Sequence, residues 1–302
     1  MEKNKKASIS IKFIIGLIIL VVTFGVILLF YTMFDWTGEI DKQGCHQSVI
    51  LKATVPTIFE NKAVDFPLNC KTEKICITDN FIVKGNCDED YLGEKYQTIR
   101  VSKNKEEQQK EINKIIADKL YECWWMMGEG KVQMYSEKLD FRKHCGICTR
   151  ISFDKDFKKE VEKIKGVNKY LVLHNAPNSD LTYWQYLTNS DLNYIHNYNE
   201  TEDFINTSFQ KAIVFAEVNE KTWGKWLFRG SGVATGAFIG SIVPGPGTVI
   251  GAGIGGVLGF FVGNDLAKDF FGETGVTSAW KIIDYNAVEL KKLDCTSFEG
   301  HA

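Results

Sequence analysis

Eight glycines spaced four residues apart constrain this chain more than any other feature of its sequence. Gly232, Gly236 and Gly240 are followed by a Pro244-Gly245-Pro246-Gly247 break, after which Gly247, Gly251, Gly255, Gly259 and Gly263 resume the step. A glycine inside a helix costs ~0.8–1 kcal/mol relative to alanine, so the ladder is tolerable only where close approach of backbones offsets the loss. Small residues at this spacing let helices touch in an apolar medium. The pattern therefore predicts two helices joined by a turn at Pro244, Gly245 and Pro246.

Three readings of the ladder compete. Gly251-Ala252-Gly253-Ile254-Gly255-Gly256 matches a Gly-x-Gly-x-x-Gly dinucleotide fingerprint, with Val249-Ile250 before it and Glu273 after it. Only Thr248 to Ile250 remain for the buried first strand, no βαβ series follows, and the four-residue repeat is left unexplained. A second reading buries a dry hairpin against the protein's own core or a partner. Spaced glycines, however, supply little apolar area to drive burial in water. In the third, 230–264, within an insertion bounded at 223–271, resembles the glycine-zipper two-helix segments of membrane-associated and toxin-like proteins. Gly230 to Val243 and Gly247 to Asn264 carry no charge and reach roughly 21 and 27 Å as helices. Trp223, Trp226 and Phe228 beside Lys225 and Arg229 look like interfacial anchors. The tip lacks lysine and arginine, which favours a hairpin that dips into one leaflet or crosses within an oligomer. The resemblance implies membrane lipid and either a second copy or another membrane protein as partners.

The N-terminus carries a second apolar signal. Lys3, Lys5, Lys6 and Lys12 precede a charge-free run from Phe13 to Tyr31, about the ~20 residues that a bilayer core requires. The run passes into Tyr31, Phe34 and Trp36 without a small-residue exit site, so 13–34 reads as an uncleaved transmembrane anchor. Lysines before it and Asp35, Glu39 and Asp41 after it place 1–12 in the cytoplasm and the main domain outside. The stretch Lys5-Lys6-Ala7-Ser8-Ile9-Ser10-Ile11-Lys12, followed by Phe13 to Ile19, also resembles the class III signals of archaeal type IV pilin-like proteins. Lys12 stands where that family usually carries glutamate, and Ala7 where it carries glycine. The resemblance implies a pilin-like surface subunit shortened at its N-terminus on export.

Cys45, Cys70, Cys76, Cys87, Cys123, Cys145, Cys148 and Cys295 all lie outside the apolar spans. An even count beyond an anchor predicts up to four disulfides of undetermined connectivity. His144-Cys145-Gly146-Ile147-Cys148 offers the alternatives of a redox pair or half a zinc site. No second pair has matching spacing, since Cys70 and Cys76 are too far apart in sequence for one.

Short runs rich in Val, Ile, Phe and Thr predict strands at 48–55, 66–69, 74–78 and 97–101. Asn104 with Glu107 three residues on predicts a capping box, opening a helix through Ile112, Ile116, Leu120 and Trp124 to Gly128. The Cys123-Trp124-Trp125-Met126-Met127 cluster is in helical phase and reads as core. A strand over 148–153, a helix opened by Asp154 or Asp156 and ending at Gly166, and a short aromatic helix capped by Asp180 come next. Asn199-Glu200-Thr201 and Asn206-Thr207-Ser208 are N-glycosylation tripeptides. The segments 211–218, 279–285 and 287–293 read as strands. The ladder thus divides one α+β domain, 37–222 and 272–302.

A net charge of -2 gives no basis for nucleic-acid binding. The chain has no His-Glu-x-x-His, Gly-x-Ser-x-Gly or phosphate-loop lysine, and its five histidines are scattered. No cofactor or metal is expected. The sequence thus describes an α+β surface protein with an N-terminal transmembrane helix, a disulfide-stabilised mixed ectodomain and an inserted glycine-zipper helical hairpin. The enzymatic alternative is a thiol-disulfide oxidoreductase using Cys145 and Cys148.

Overall fold

The computed structural model describes residues 11–33, 36–54, 68–81, 85–132, 144–188, 203–219, 239–240, 276–293, 295 and 297–299. The chain divides into two compact units, Met1–Asp41 and Lys42–Ala302.

The first unit contains helix α1, Ile11–Met33, and the beginning of α2, Trp36–Thr54. Among the described residues no helix is long and apolar enough to cross a membrane. This overturns the transmembrane span read over 13–34 and, with it, that part of the expected fold class. The helix begins at Ile11 and so takes in Lys12 rather than starting at the charge-free run.

In the second unit, a mixed sheet is built from β1 (Glu73–Thr78), β2 (Gln97–Arg100), β3 (His144–Phe153), β6 (Lys211–Asn219), β7 (Ile239–Gly240), β8 (Val276–Asp284) and β9 (Ser297–Glu299), in the order β2-β1-β3-β6-β8-β7. β1 is parallel to both β2 and β3, whereas β6 is antiparallel to β3 and to β8. β9 pairs with the start of β3, at His144 to Gly146. Two short strands, β4 (Lys163–Lys165) and β5 (Phe204–Asn206), form a separate pair.

Strand alternation divides the sheet into two chemically different faces. Ile75, Ile77, Ile151, Phe153, Ile213, Phe215, Trp280 and Ile282 join the main core. Helices α4 (Lys105–Met126), α6 (Val167–Leu173) and α7 (Tyr183–Thr188) pack with them. Cys76, Arg150, Ser152, Ala212, Val214, Lys281 and Ile283 alternate with those residues and occupy the opposite face, towards α3 (Asp88–Tyr91) and α8 (Ala287–Leu293).

The expected long helix is α4. Asn104 Oδ1 accepts from the amides of Glu106 and Glu107, and buried Ile112, Ile116, Leu120 and Trp124 recur along one stripe. The reciprocal half of the capping box is absent. Glu107 accepts from the Ser102 hydroxyl, and the Asn104 amide donates to that same hydroxyl.

Several segments differ from their sequence reading. The β-branched run at 48–55 lies mostly in α2, which supplies Cys45 and Val49 to the core from its middle turns. The helix expected to reach Gly166 stops at Glu160 as α5 (Lys155–Glu160), and Ile164 turns inward on β4. Residues 287–293 are helical because Asn286 Oδ1 caps the amides of Val288 and Glu289. Thr182, rather than Asp180, accepts from Gln185 at the head of α7.

Candidate functional site

The ladder enters and leaves the domain at one place. β6 ends at Asn219, β8 begins at Val276, and these two residues are paired across the ladder of hydrogen bonds. Residues 220–275 therefore connect two neighbouring antiparallel strands, and Ile239–Gly240 among them pairs with the same sheet. Of the predicted zipper, only Ile239–Gly240 is described. Instead of helix these two residues form β7 against Trp280 and Lys281 of β8, where sheet pairing overrides the helical spacing of Gly240. Gly232, Gly236, Gly247, Gly251, Gly255, Gly259 and Gly263, together with the turn at Pro244, Gly245 and Pro246, lie outside the described residues.

All eight cysteines are paired, as Cys45–Cys70, Cys76–Cys87, Cys123–Cys148 and Cys145–Cys295. The Cys-x-x-Cys motif is thus split between two bridges, which corrects the reading of Cys145 and Cys148 as a redox couple. Both are 2% exposed. On β3 their sulfurs are drawn apart: Cys148 bonds Cys123 of α4, and Cys145 bonds Cys295 just before β9. Cys145 lies opposite Ala216, three residues before the end of β6, so its bridge braces the part of the sheet from which the excursion departs. The loop that this bridge closes, 150 residues in sequence separation, contains the whole ladder.

The opposite face of the sheet holds a buried polar centre that the sequence reading missed. Arg150 is 8% exposed; its Nε and Nη2 donate to Gln210 Oε1 at 3.1 and 2.9 Å, and its Nη1 donates to Glu94 at 2.9 Å. Its guanidinium lies over the Tyr91 and Tyr285 rings, and the Tyr91 hydroxyl donates to the Ile75 and Arg150 carbonyls. Burial pushes the Tyr91 phenol well above its ordinary range. With its donors satisfied by protein groups, the arginine ties α3 and the β5–β6 turn to the sheet rather than awaiting a ligand. The sequence signal was strand parity: Arg150 occupies the alternate face from Ile151 and Phe153.

On the same face, Lys281 is 1% exposed, and desolvation lowers its ammonium to about 8, against the opposing pull of Glu289. Beside α4, the Tyr121 ring meets Tyr183 edge-on and Tyr186 at a tilt, with the Tyr183 hydroxyl on Asp118 and the Tyr186 hydroxyl on Glu129. Burial, then the partner carboxylate, raises both phenols. An open groove of about 530 Å³ along the first turns of α4 mixes Glu107, Glu111, Lys110 and Lys114, the character of a solvated helix face. Of the histidines, His46 stacks on Trp125 and His174 on Tyr170; neither adjoins the other. Among the described residues, no three His, Cys, Asp or Glu side chains converge as a metal site requires.

Residues 230–269 match the family model for a glycine zipper. No curated protein and no solved structure matches the chain. The zipper match, together with four disulfides, points to a membrane-associated or extracellular protein.

Proposed function

We propose that this chain is an extracytoplasmic surface protein whose glycine-zipper excursion engages a lipid membrane, with the disulfide-braced sheet as its platform. One observation carries the reading: the zipper match falls within the segment that joins Asn219 to Val276, paired neighbours in the sheet, and among its described residues only Ile239–Gly240 pairs with that sheet. Such an attachment lets the glycine-rich segment change surroundings without unpairing β6 from β8. The four-residue glycine spacing supports a second reading, in which excursions from two copies pack backbone to backbone.

Because the two strand ends are paired, residues 220–275 can be replaced by an Asn-Gly turn, which suits the twist of an antiparallel pair. The shortened chain is expected to fold with four disulfides and to lose flotation with phospholipid vesicles that the full chain retains. Flotation equal to that of the full chain would overturn the proposal.

A further inference from the structure

The turn between β5 and β6 presents a second functional feature, unconnected with the ladder. Asn206 ends β5 and begins the tripeptide Asn206-Thr207-Ser208. Its Oδ1 accepts from the Ser208 amide at 2.8 Å, an Asx turn that fixes the side-chain oxygen towards the backbone. Thr207 points the other way. It is fully buried, its hydroxyl bonds to the carbonyls of Val161 and Glu162, and its amide donates to Glu162 O at 3.0 Å. The turn is thereby anchored through its middle residue, while Asn206 stays partly exposed and Ser208 is exposed.

We propose that Asn206 is an N-glycosylation site whose donor is a lipid-linked oligosaccharide, transferred by a glycosyltransferase on the side of the membrane where the disulfides form. In the step, Asn206 Nδ2 forms a bond to the anomeric carbon of the saccharide. The bond from that carbon to the lipid phosphate oxygen breaks, the phosphate leaves with the electron pair, and one Nδ2 proton passes to a base of the transferase. No oxidation or reduction is involved. Ser208 supplies the hydroxyl that such transferases require two residues after the acceptor.

The site also lies near the beginning of β6, about 27 Å along the strand from Asn219 at ~3.4 Å per residue.

The test uses the full chain, purified from its own cells and cleaved before Asp203 to separate Asn206 from Asn199. The peptide starting at Asp203 is expected to carry a saccharide mass on more than half of its molecules. Ser208→Ala is expected to reduce that to background while all four disulfides remain. An unmodified Asn206 peptide from the disulfide-bonded chain would overturn the assignment, as would unchanged occupancy in Ser208→Ala.

Discussion

The guanidinium carbon of Arg150 lies 4.2 Å from the centroid of the Tyr285 ring, joining the middle of β3 to the residue that follows β8. Tyr285 is itself fixed there by its amide, which donates to Gln210 O at 2.7 Å. Removing the arginine leaves Gln210 and the two tyrosine faces without their common partner. Arg150→Ala is expected to lower unfolding free energy by about 3 kcal/mol. Arg150→Lys, which keeps charge but loses the planar fork, should lose somewhat less. Urea denaturation measures both, and loss below about 0.5 kcal/mol for the alanine variant would show that the cage is not a keystone.

The Cys145–Cys295 bridge spans the longest loop of the four. Chain entropy assigns a loop of this size an upper contribution of about 5 kcal/mol, against about 3 kcal/mol for Cys76–Cys87. The double variant Cys145→Ala with Cys295→Ala is therefore expected to lower Tm more than Cys76→Ala with Cys87→Ala. Limited proteolysis should then cut first around β9, whose pairing with β3 adjoins the lost bridge. In the unreduced native protein, iodoacetamide is expected to label none of the eight cysteines.

Lys281 makes stability depend on alkaline pH. Its folded value of about 8 lies below the ordinary lysine value, with desolvation as the main cause and Glu289 and Lys292 of α8 as the facing charges. Between about 8 and ~10.4 the unfolded chain holds more protons on this group, so stability rises with pH across that window. The cost of the buried ammonium is fully present below it. Lys281→Met, of similar length, is expected to raise stability at pH 7 by about 2 kcal/mol and to flatten the rise. Melting curves between pH 7 and 10 that run parallel for both proteins would contradict this.

Leucine in place of Gly236, Gly251 and Gly255 separates the two modes of action proposed for the ladder. Leucine adds apolar surface but prevents close backbone contact. If excursions pack against each other, the triple variant binds vesicles at least as well as the parent but loses its oligomer in detergent. Sedimentation or mass photometry reads the difference, and an unchanged oligomer would sink the self-association reading.

Much of the fold was legible where short-range physics sufficed. The Asn104 cap and the apolar stripe of α4 follow from spacing, and β1, β2, β3 and β6 from short β-branched and apolar runs. The mistaken segments are those whose local signals were weak or divided. Residues 48–55 are β-branched enough for a strand, yet Cys45 and Val49 reach the core only from a helix. Residues 287–293 could alternate, but the Asn286 cap commits them to a turn of helix.

By itself the sequence determined the glycine ladder, the even set of cysteines and the α+β character, because these depend on residue type and spacing along the chain. Tertiary structure alone decided that Cys145 and Cys148 bond away from each other, that Arg150 and Tyr285 meet, and that Asn219 and Val276 are neighbours. Each of those facts joins residues far apart in sequence. Strand order and register set such distances, and no local propensity encodes them.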